Sequence, residues 1–235
     1  MLPIIFENSE LLVIDKPAGI PSVPLRKDET GTAVQSVLQY LPKLQNIGRG
    51  GLEPAILHRL DTGTSGLLVF AKTEEYFQFL LQRWKTDQVR KWYRALCSPK
   101  KLTKPPLPPD VISLPLGHSA KSSKRMIALR NSAALRQIRG KALTALTIIE
   151  SQKIIHEDPR RLDLLIEIKT GIMHQIRCHL EAVNWPIDGD PIYHGKAAER
   201  LWLHAWNLEL PLLTTVHKKE ARLLVEARLP ENWPS

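Results

Sequence analysis

The sequence predicts an α+β fold, a mixed and largely antiparallel sheet with flanking helices. Three observations carry that expectation. Strand-like segments outnumber helix-like ones. The two kinds are not regularly interleaved, as a doubly wound fold would require. The clearest strand pattern, over 162–168, alternates residue by residue, with Leu162, Leu164, Ile166 and Ile168 on one face. With 43% apolar and 24% charged residues in 235, the chain can build a sizeable core and does not have a disordered composition.

The elements follow from local chemistry. Ile4–Phe6 and Leu11–Asp15 read as short strands separated by Asn8-Ser9. Lys16-Pro17-Ala18-Gly19 closes the pair, because Pro fixes φ and Gly tolerates φ > 0. Thr32–Leu41 reads as a helix with Val34, Val37, Leu38 and Leu41 on one face, ended by Pro42 and the Gly48–Gly51 cluster. Leu67–Ala71 is a continuous apolar run suited to a buried strand. A helix follows from Glu74, capped by Thr73, with Phe77, Leu80, Leu81 and Trp84 at helical spacing. Val89–Leu96 is a strand. Six prolines between Pro99 and Pro115 predict an extended surface connection over 100–120. Ala142–Ile149 and Leu162–Ile168 are strands, and His174–Val183 is a helix stopped by Trp185-Pro186. Leu201–Leu210 and Arg222–Ala227 complete the strands.

The formal net charge is +9 and is unevenly placed. Arg83 to Lys141 holds 15 Lys and Arg against Asp87 and Asp110, a net of +13, while the rest of the chain carries 18 basic and 22 acidic residues, a net of −4. A basic block on a slightly acidic body fits either a polyanionic partner or a solvated face. Two lone cysteines, Cys97 and Cys178, with no CxxC, suggest a reducing compartment and offer no metal cage. The opening residues meet Glu7, Glu10 and Asp15 early and lack a basic leader, and no apolar run approaches the ~20 residues a bilayer span needs. A soluble, cytoplasmic protein is expected, with no membrane partner.

Several chemistries lack their motifs. The chain has no GxxxxGK[ST], no GxGxxG after a strand, no HExxH and no Gly-x-Ser-x-Gly elbow. His174 and His179 are five apart and fall on different helical faces, so no metal site is expected. What remains is His58-Arg59-Leu60-Asp61-Thr62-Gly63-Thr64-Ser65-Gly66, a carboxylate at a bend of glycines and small hydroxyls just before a buried strand. On local grounds Asp61 could simply make an Asx-turn. Arg59 could be a solvated cation, and His58 a core histidine.

The longer string HRLDTGTSGLLVFAKT resembles the central motif of the RluA-type pseudouridine synthases, which isomerise uridine in structured RNA. Four further segments agree in the family's order. They are LLVIDKPAGIPSVP, VRKWYRAL, TGIMHQIRCHLEAVNWPIDGDPIYHG and LWLHAWNLEL, so the likeness runs from about residue 5 to 228. The resemblance implies the pseudouridine synthase fold with a central cleft. It implies one catalytic domain over 1–235, with no N-terminal RNA-binding domain. It places Asp61 on the catalytic aspartate, Tyr93 on the active-site tyrosine, Arg177 on the arginine that pairs with the aspartate, and Arg59 on the arginine that replaces the flipped base. No cofactor is implied, because the isomerisation involves no redox change, no net hydrolysis and no external group.

The expected RNA contacts are Arg59, His58 and Lys91, with Lys121, Lys124 and Arg125 from the basic block. The expected partner is ribosomal or transfer RNA, and the expected state a monomer. Two departures stand out: Ile172 and Met173 occupy positions where the family usually carries Arg and Thr, and Cys178 stands where Val is common. Tyr93 could alternatively be an ordinary strand aromatic, and Arg177 could pair with Glu181 one helical turn on, worth ~0.2–0.5 kcal/mol. Two other functional classes compete. One is a catalytically inactive RNA-binding module of the same fold. The other is a glycosidase using Asp61 with Asp188 or Asp190 as the second carboxylate.

Overall fold

A computed structural model describes residues 2–86, 88–100, 106–213 and 220–234. The chain divides into two compact units, residues 1–91 with 204–231 and residues 92–203 with 232–235.

In the first unit, β1 (Ile4–Glu7) pairs antiparallel with β2 (Leu11–Lys16), and β2 pairs antiparallel with β3 (Ser65–Ala71). β3 runs parallel to β11 (Leu203–Leu213), and β11 pairs antiparallel with β12 (Glu220–Glu226). Every residue of β3 is buried, as its unbroken apolar run requires. Helix α1 (Ala33–Tyr40) starts at a capping box, in which Thr32 accepts from the Gln35 amide while the Gln35 side chain accepts from the Thr32 amide. Pro42 does not end the structure there. It opens a short 3-10 turn, Pro42–Asn46, because Pro is tolerated in a first turn where its missing N–H is not needed. Helix α2 (Glu74–Lys85) is capped by Thr73 and buries Tyr76, Phe77, Phe79 and Leu80.

In the second unit, β4 (Arg90–Cys97, from Trp92 onward) pairs with β10 (Arg160–Ile168), β10 with β9 (Thr147–Glu157), and β9 with the short β5 (Val111–Ile112), all antiparallel. Leu162, Leu164 and Ile166 are fully buried, each contributing about 1.5–3 kcal/mol. The opposite face of β10 is covered as well. Asp163 is buried beneath Arg94, which donates to it through Nε at 3.0 Å, and the Trp233 indole N–H donates to it at 3.0 Å. Helix α3 (Gln175–Ala182) is buried on nearly all sides, not along one stripe.

The segment 100–120 departs from expectation. Residues 101–105 lie outside the described residues, but β5 and β6 (Leu116–Ser119) form inside the proline-rich stretch. The prolines flank these strands and never interrupt them, so no ladder N–H is lost. A second sheet, also unexpected, orders β7 (Met126–Ala128), β6 and β8 (Ile138–Leu143) within the basic block. The strand anticipated over 142–149 is in fact the end of β8, a break, and the start of β9. β7 is three residues long and β8 is exposed along nearly its whole length, so neither carries a hydrophobic period.

Candidate active site

In the first unit, the backbone of the Asp61 loop is held by groups from outside the loop. The Lys16 side chain is completely buried, and its ammonium donates to the carbonyls of Pro17 (2.9 Å), Ile20 (2.7 Å) and Thr62 (3.3 Å). The Gly19 amide also donates to Thr62 O, at φ +88° where Gly is favoured. The Lys-Pro-x-Gly turn therefore binds the residue next to Asp61 from two directions. Ser22 fixes the other side. Its hydroxyl donates to Leu60 O at 2.8 Å and accepts from Leu60 N at 2.9 Å. Asp61 is half-buried, and its carbonyl accepts from the Thr64 amide at 3.0 Å.

Beyond the turn, Gly66 has φ +112°, and a Cβ there would lie 2.2 Å from Ala205 O. Only glycine allows β3 and β11 to approach this closely. Ser65 and His204 meet across the same pairing, Oγ to Nδ1 at 2.8 Å. This gives the Leu-His-Ala segment a structural task. Reading the sequence treated Lys16, Ser22, Ser65 and His204 as motif letters or not at all; their roles are visible only once loop and strand are brought together.

Arg59 is exposed and forms an ion pair with Glu53 at 2.9 Å. His58 is half-buried and stacks on Trp84, centroids 4.8 Å apart and planes at 24°. Burial, aided by the charge of Lys91, lowers its pKa to about 3. His58 is therefore a neutral ring near neutrality and supplies no positive charge. Lys91 is buried, its ammonium 5.9 Å from the Trp84 ring centroid.

In the second unit, Tyr93 is 8% exposed on β4, opposite Ile166 of β10. Arg177 is 5% exposed on α3 and makes a bidentate pair with Asp190: Nε to Oδ2 at 2.7 Å and Nη2 to Oδ1 at 2.9 Å. Asp190 Oδ1 also accepts from the amides of Ile192 and Tyr193. The Asp of Pro-Ile-x-Gly-Asp thus orients the Arg177 guanidinium, an assignment that sequence reading missed. Glu181 is not the partner first considered for Arg177; it pairs with Lys100 at 2.8 Å and His194 at 3.3 Å. Gly189 and Gly195 make this turn buildable, since a Cβ would lie 1.7 Å from Arg200 O at the first and 2.0 Å from Ile187 O at the second.

Gln175 ties the start of α3 to the start of β9, donating to Leu146 O and Thr147 Oγ1 while accepting from Thr170 Oγ1. His179 lies between Thr147 Oγ1 and Leu114 O, and burial lowers its pKa. His174 adopts a left-handed φ of 54°, with Nδ1 3.1 Å from the Tyr193 hydroxyl. Ile172 packs against the buried cluster of Leu116, Met126, Ala145, Cys178 and Tyr193. Its apolar side chain therefore has a packing reason, whereas Met173 is exposed. Cys178 is a small buried hydrophobe whose thiol burial pushes up to about 12. Lys121 and Lys124 are exposed in the loop between β6 and β7, and Arg125 is half-buried over the Tyr193 ring.

Both carboxylates considered for a glycosidase are engaged. Asp190 holds Arg177. Asp188 is buried and paired with Arg161 at 2.7 Å, and burial, the largest influence on it, raises its pKa. Among the described residues, no group of three or more His, Cys, Asp or Glu could hold a metal ion, and no helix is long and apolar enough to cross a membrane.

A family model described as RNA pseudouridylate synthase matches residues 10–182, a stretch that includes the Asp61 loop, Tyr93 and Arg177. The chain belongs to this family. It is similar to a ribosomal large subunit pseudouridine synthase D of Nitrosomonas europaea, 32% identical over 243 residues, covering 98% of this chain and 63% of the relative. It is 30% identical over 196 residues to a protein of that name from Pseudomonas aeruginosa, covering 83% and 54%. It is 32% identical over 208 residues to an uncharacterized RNA pseudouridine synthase of Chloroflexus aurantiacus, covering 88% and 59%. The chain thus spans little more than half of these relatives' lengths. Among solved structures, human RNA pseudouridylate synthase domain containing 1 shares the fold with a TM-score of 0.66 at 22% identity, over 95% of this chain and 82% of that one.

Proposed function

We propose that the chain is an RNA pseudouridine synthase that isomerises uridines in structured RNA, acting as a monomeric cytoplasmic enzyme without metal or cofactor, with a single catalytic domain over 1–235. The observation that carries this reading is the family match over 10–182, which includes HRLDTGTSG in a loop tied down at Thr62 and Leu60. The names of two relatives favour ribosomal RNA of the large subunit as the substrate, with transfer RNA as the other class.

In this reaction the N1–C1′ bond breaks, the uracil turns, and a C5–C1′ bond forms. C5 gives up its proton and N1 acquires one. Asp61 acts at the sugar as nucleophile or base. Tyr93 supports the uracil and exchanges protons through its hydroxyl. Arg177 serves as the cation that keeps Asp61 ionised. A stacked uridine must be extruded first, and Arg59 fills the gap, since a guanidinium stacks on bases and donates hydrogen bonds. Its exposure and its surface pairing with Glu53, worth about 0–1 kcal/mol, leave it inexpensive to redeploy. Lys91, Lys121, Lys124 and Arg125 add positive charge toward the RNA, and His58 contributes as a neutral ring.

The test is an RNA labelled with tritium at uracil C5. Tritium released to water without free uracil, and its loss in Asp61→Asn, is the expected result. Free uracil would mean glycosidase chemistry. No turnover by the native chain on total RNA lacking its modifications, with RNA binding retained, would mean an inactive RNA-binding module.

A further inference from the structure

The second unit contains a cavity of about 310 Å³, within the range of small-molecule pockets, and its lining includes none of Asp61, Tyr93 and Arg177. Four of its apolar residues are small, Ala128, Ala134, Cys178 and Ala182, and form a floor beside the larger Met126, Ile127 and Tyr193. Its charged residues are Lys100, Arg125, Arg130 and Glu181, three cations to one carboxylate. Glu181 is already satisfied by Lys100 at 2.8 Å and His194 at 3.3 Å, with Arg130 at 4.0 Å, so the local charge is net positive. Arg125 differs from these. Its guanidinium lies 5.4 Å from the Tyr193 centroid, its Nε is buried with no hydrogen-bond partner, and among the described residues no carboxylate pairs with it. A cation half-buried beside a cavity without an acceptor is costly unless something supplies one.

We infer that this pocket takes one unpaired nucleotide of the RNA other than the uridine being isomerised. The base lies on the small-residue floor against the Arg125 guanidinium, and its phosphate lies toward Lys100 and Arg130. A bare anion would explain the cations but not the apolar floor, and an apolar ligand would leave Arg125 unanswered. A nucleotide matches both, because bases stack on aromatic and guanidinium planes while their phosphates carry the charge. The inference rests on the reading that the chain acts on RNA. It adds a second contact point, which would let the protein select its target by a flanking unpaired residue.

The experiment uses the full chain and transcribed large-subunit ribosomal RNA carrying 4-thiouridine, photo-crosslinked and mapped by mass spectrometry, with pseudouridine formation assayed in parallel. Crosslinks are expected in peptides spanning 125–134 and 178–184. They should persist in Asp61→Asn and fall about tenfold in the rim variant Lys100→Ala/Arg130→Ala. Ala128→Phe, which fills the floor, should abolish them at an unchanged Tm. If that variant does not fold, the rim variant decides, since both rim side chains are exposed. Normal pseudouridine formation with no crosslink in either peptide would overturn the pocket while leaving the enzymatic reading intact. Crosslinks in the pocket with no isomerisation by the native chain would do the reverse. Inorganic phosphate binding the pocket as tightly as uridine or adenosine monophosphate would reduce it to an anion site and overturn the inference.

Discussion

Asp61 and Asp190 are the same residue type in opposite surroundings. Asp61 is half-exposed at a bend, and the structure around it acts on the backbone: Lys16 and Gly19 hold Thr62 O, and Ser22 holds Leu60. Asp190 is buried, and the structure acts on its carboxylate, with two guanidinium bonds and two amides. At Asp61 the neighbouring backbone is what these bonds fix, and the residue itself stays half-buried. A carboxylate meant to position another group is saturated and desolvated. Removing the first should cost rate, and removing the second should cost stability.

The largest effect tests the first half of that contrast. Asp61→Asn should lower pseudouridine formation at least about a thousandfold, roughly 4 kcal/mol of barrier, with the urea midpoint nearly unchanged. A comparable loss of stability would show that Asp61 is also structural. Asp190→Ala leaves Arg177 buried without this carboxylate and should destabilise the fold by about 3–5 kcal/mol in urea melts. Wild-type stability in this variant would break the comparison.

A smaller effect is expected at Arg59. Arg59→Ala should reduce kcat/KM about tenfold on a folded RNA and much less on a short unstructured strand, because only the stacked uridine leaves a gap to fill. Equal losses on both substrates would remove the insertion role. A last effect concerns pH. His58 has a folded pKa of about 3, below the ordinary histidine value of 6.5, so the unfolded chain takes up its proton first. That contribution to stability is complete above pH 6.5 and is lost as pH falls from 6.5 toward 3. A plot of Tm against pH should therefore fall less steeply below pH 6.5 in His58→Gln than in the native chain.

Local pattern was a good guide where a segment carries its own period or its own cap. α2 starts at the hydroxyl cap expected of Thr73, α1 lies within the helix read over 32–41, and β3 is as buried as its apolar run implied. β7 and β8 were missed because three residues are too few to show a period and β8 is exposed along nearly its whole length. α3 was recognised as a helix but given one apolar face, since Gln175, Arg177 and His179 look like a polar face until their buried partners are known. The Asp61 loop, Tyr93 and Arg177 were singled out only through resemblance, because a single Asp, Tyr or Arg has no local signature of catalysis.

The sequence by itself therefore determined the types of the elements that carry a period or a cap, the uneven charge and the family, each of which is written in residue order. The tertiary structure alone decided which groups answer which. It put Lys16 under the Thr62 carbonyl, His204 against Ser65 and Asp190 around Arg177, and it left the Arg125 Nε beside a cavity with no hydrogen-bond partner. The physical reason is that a buried polar group is tolerated only with a partner, and that partner is set by which segments pack together, not by which residues are adjacent in the chain.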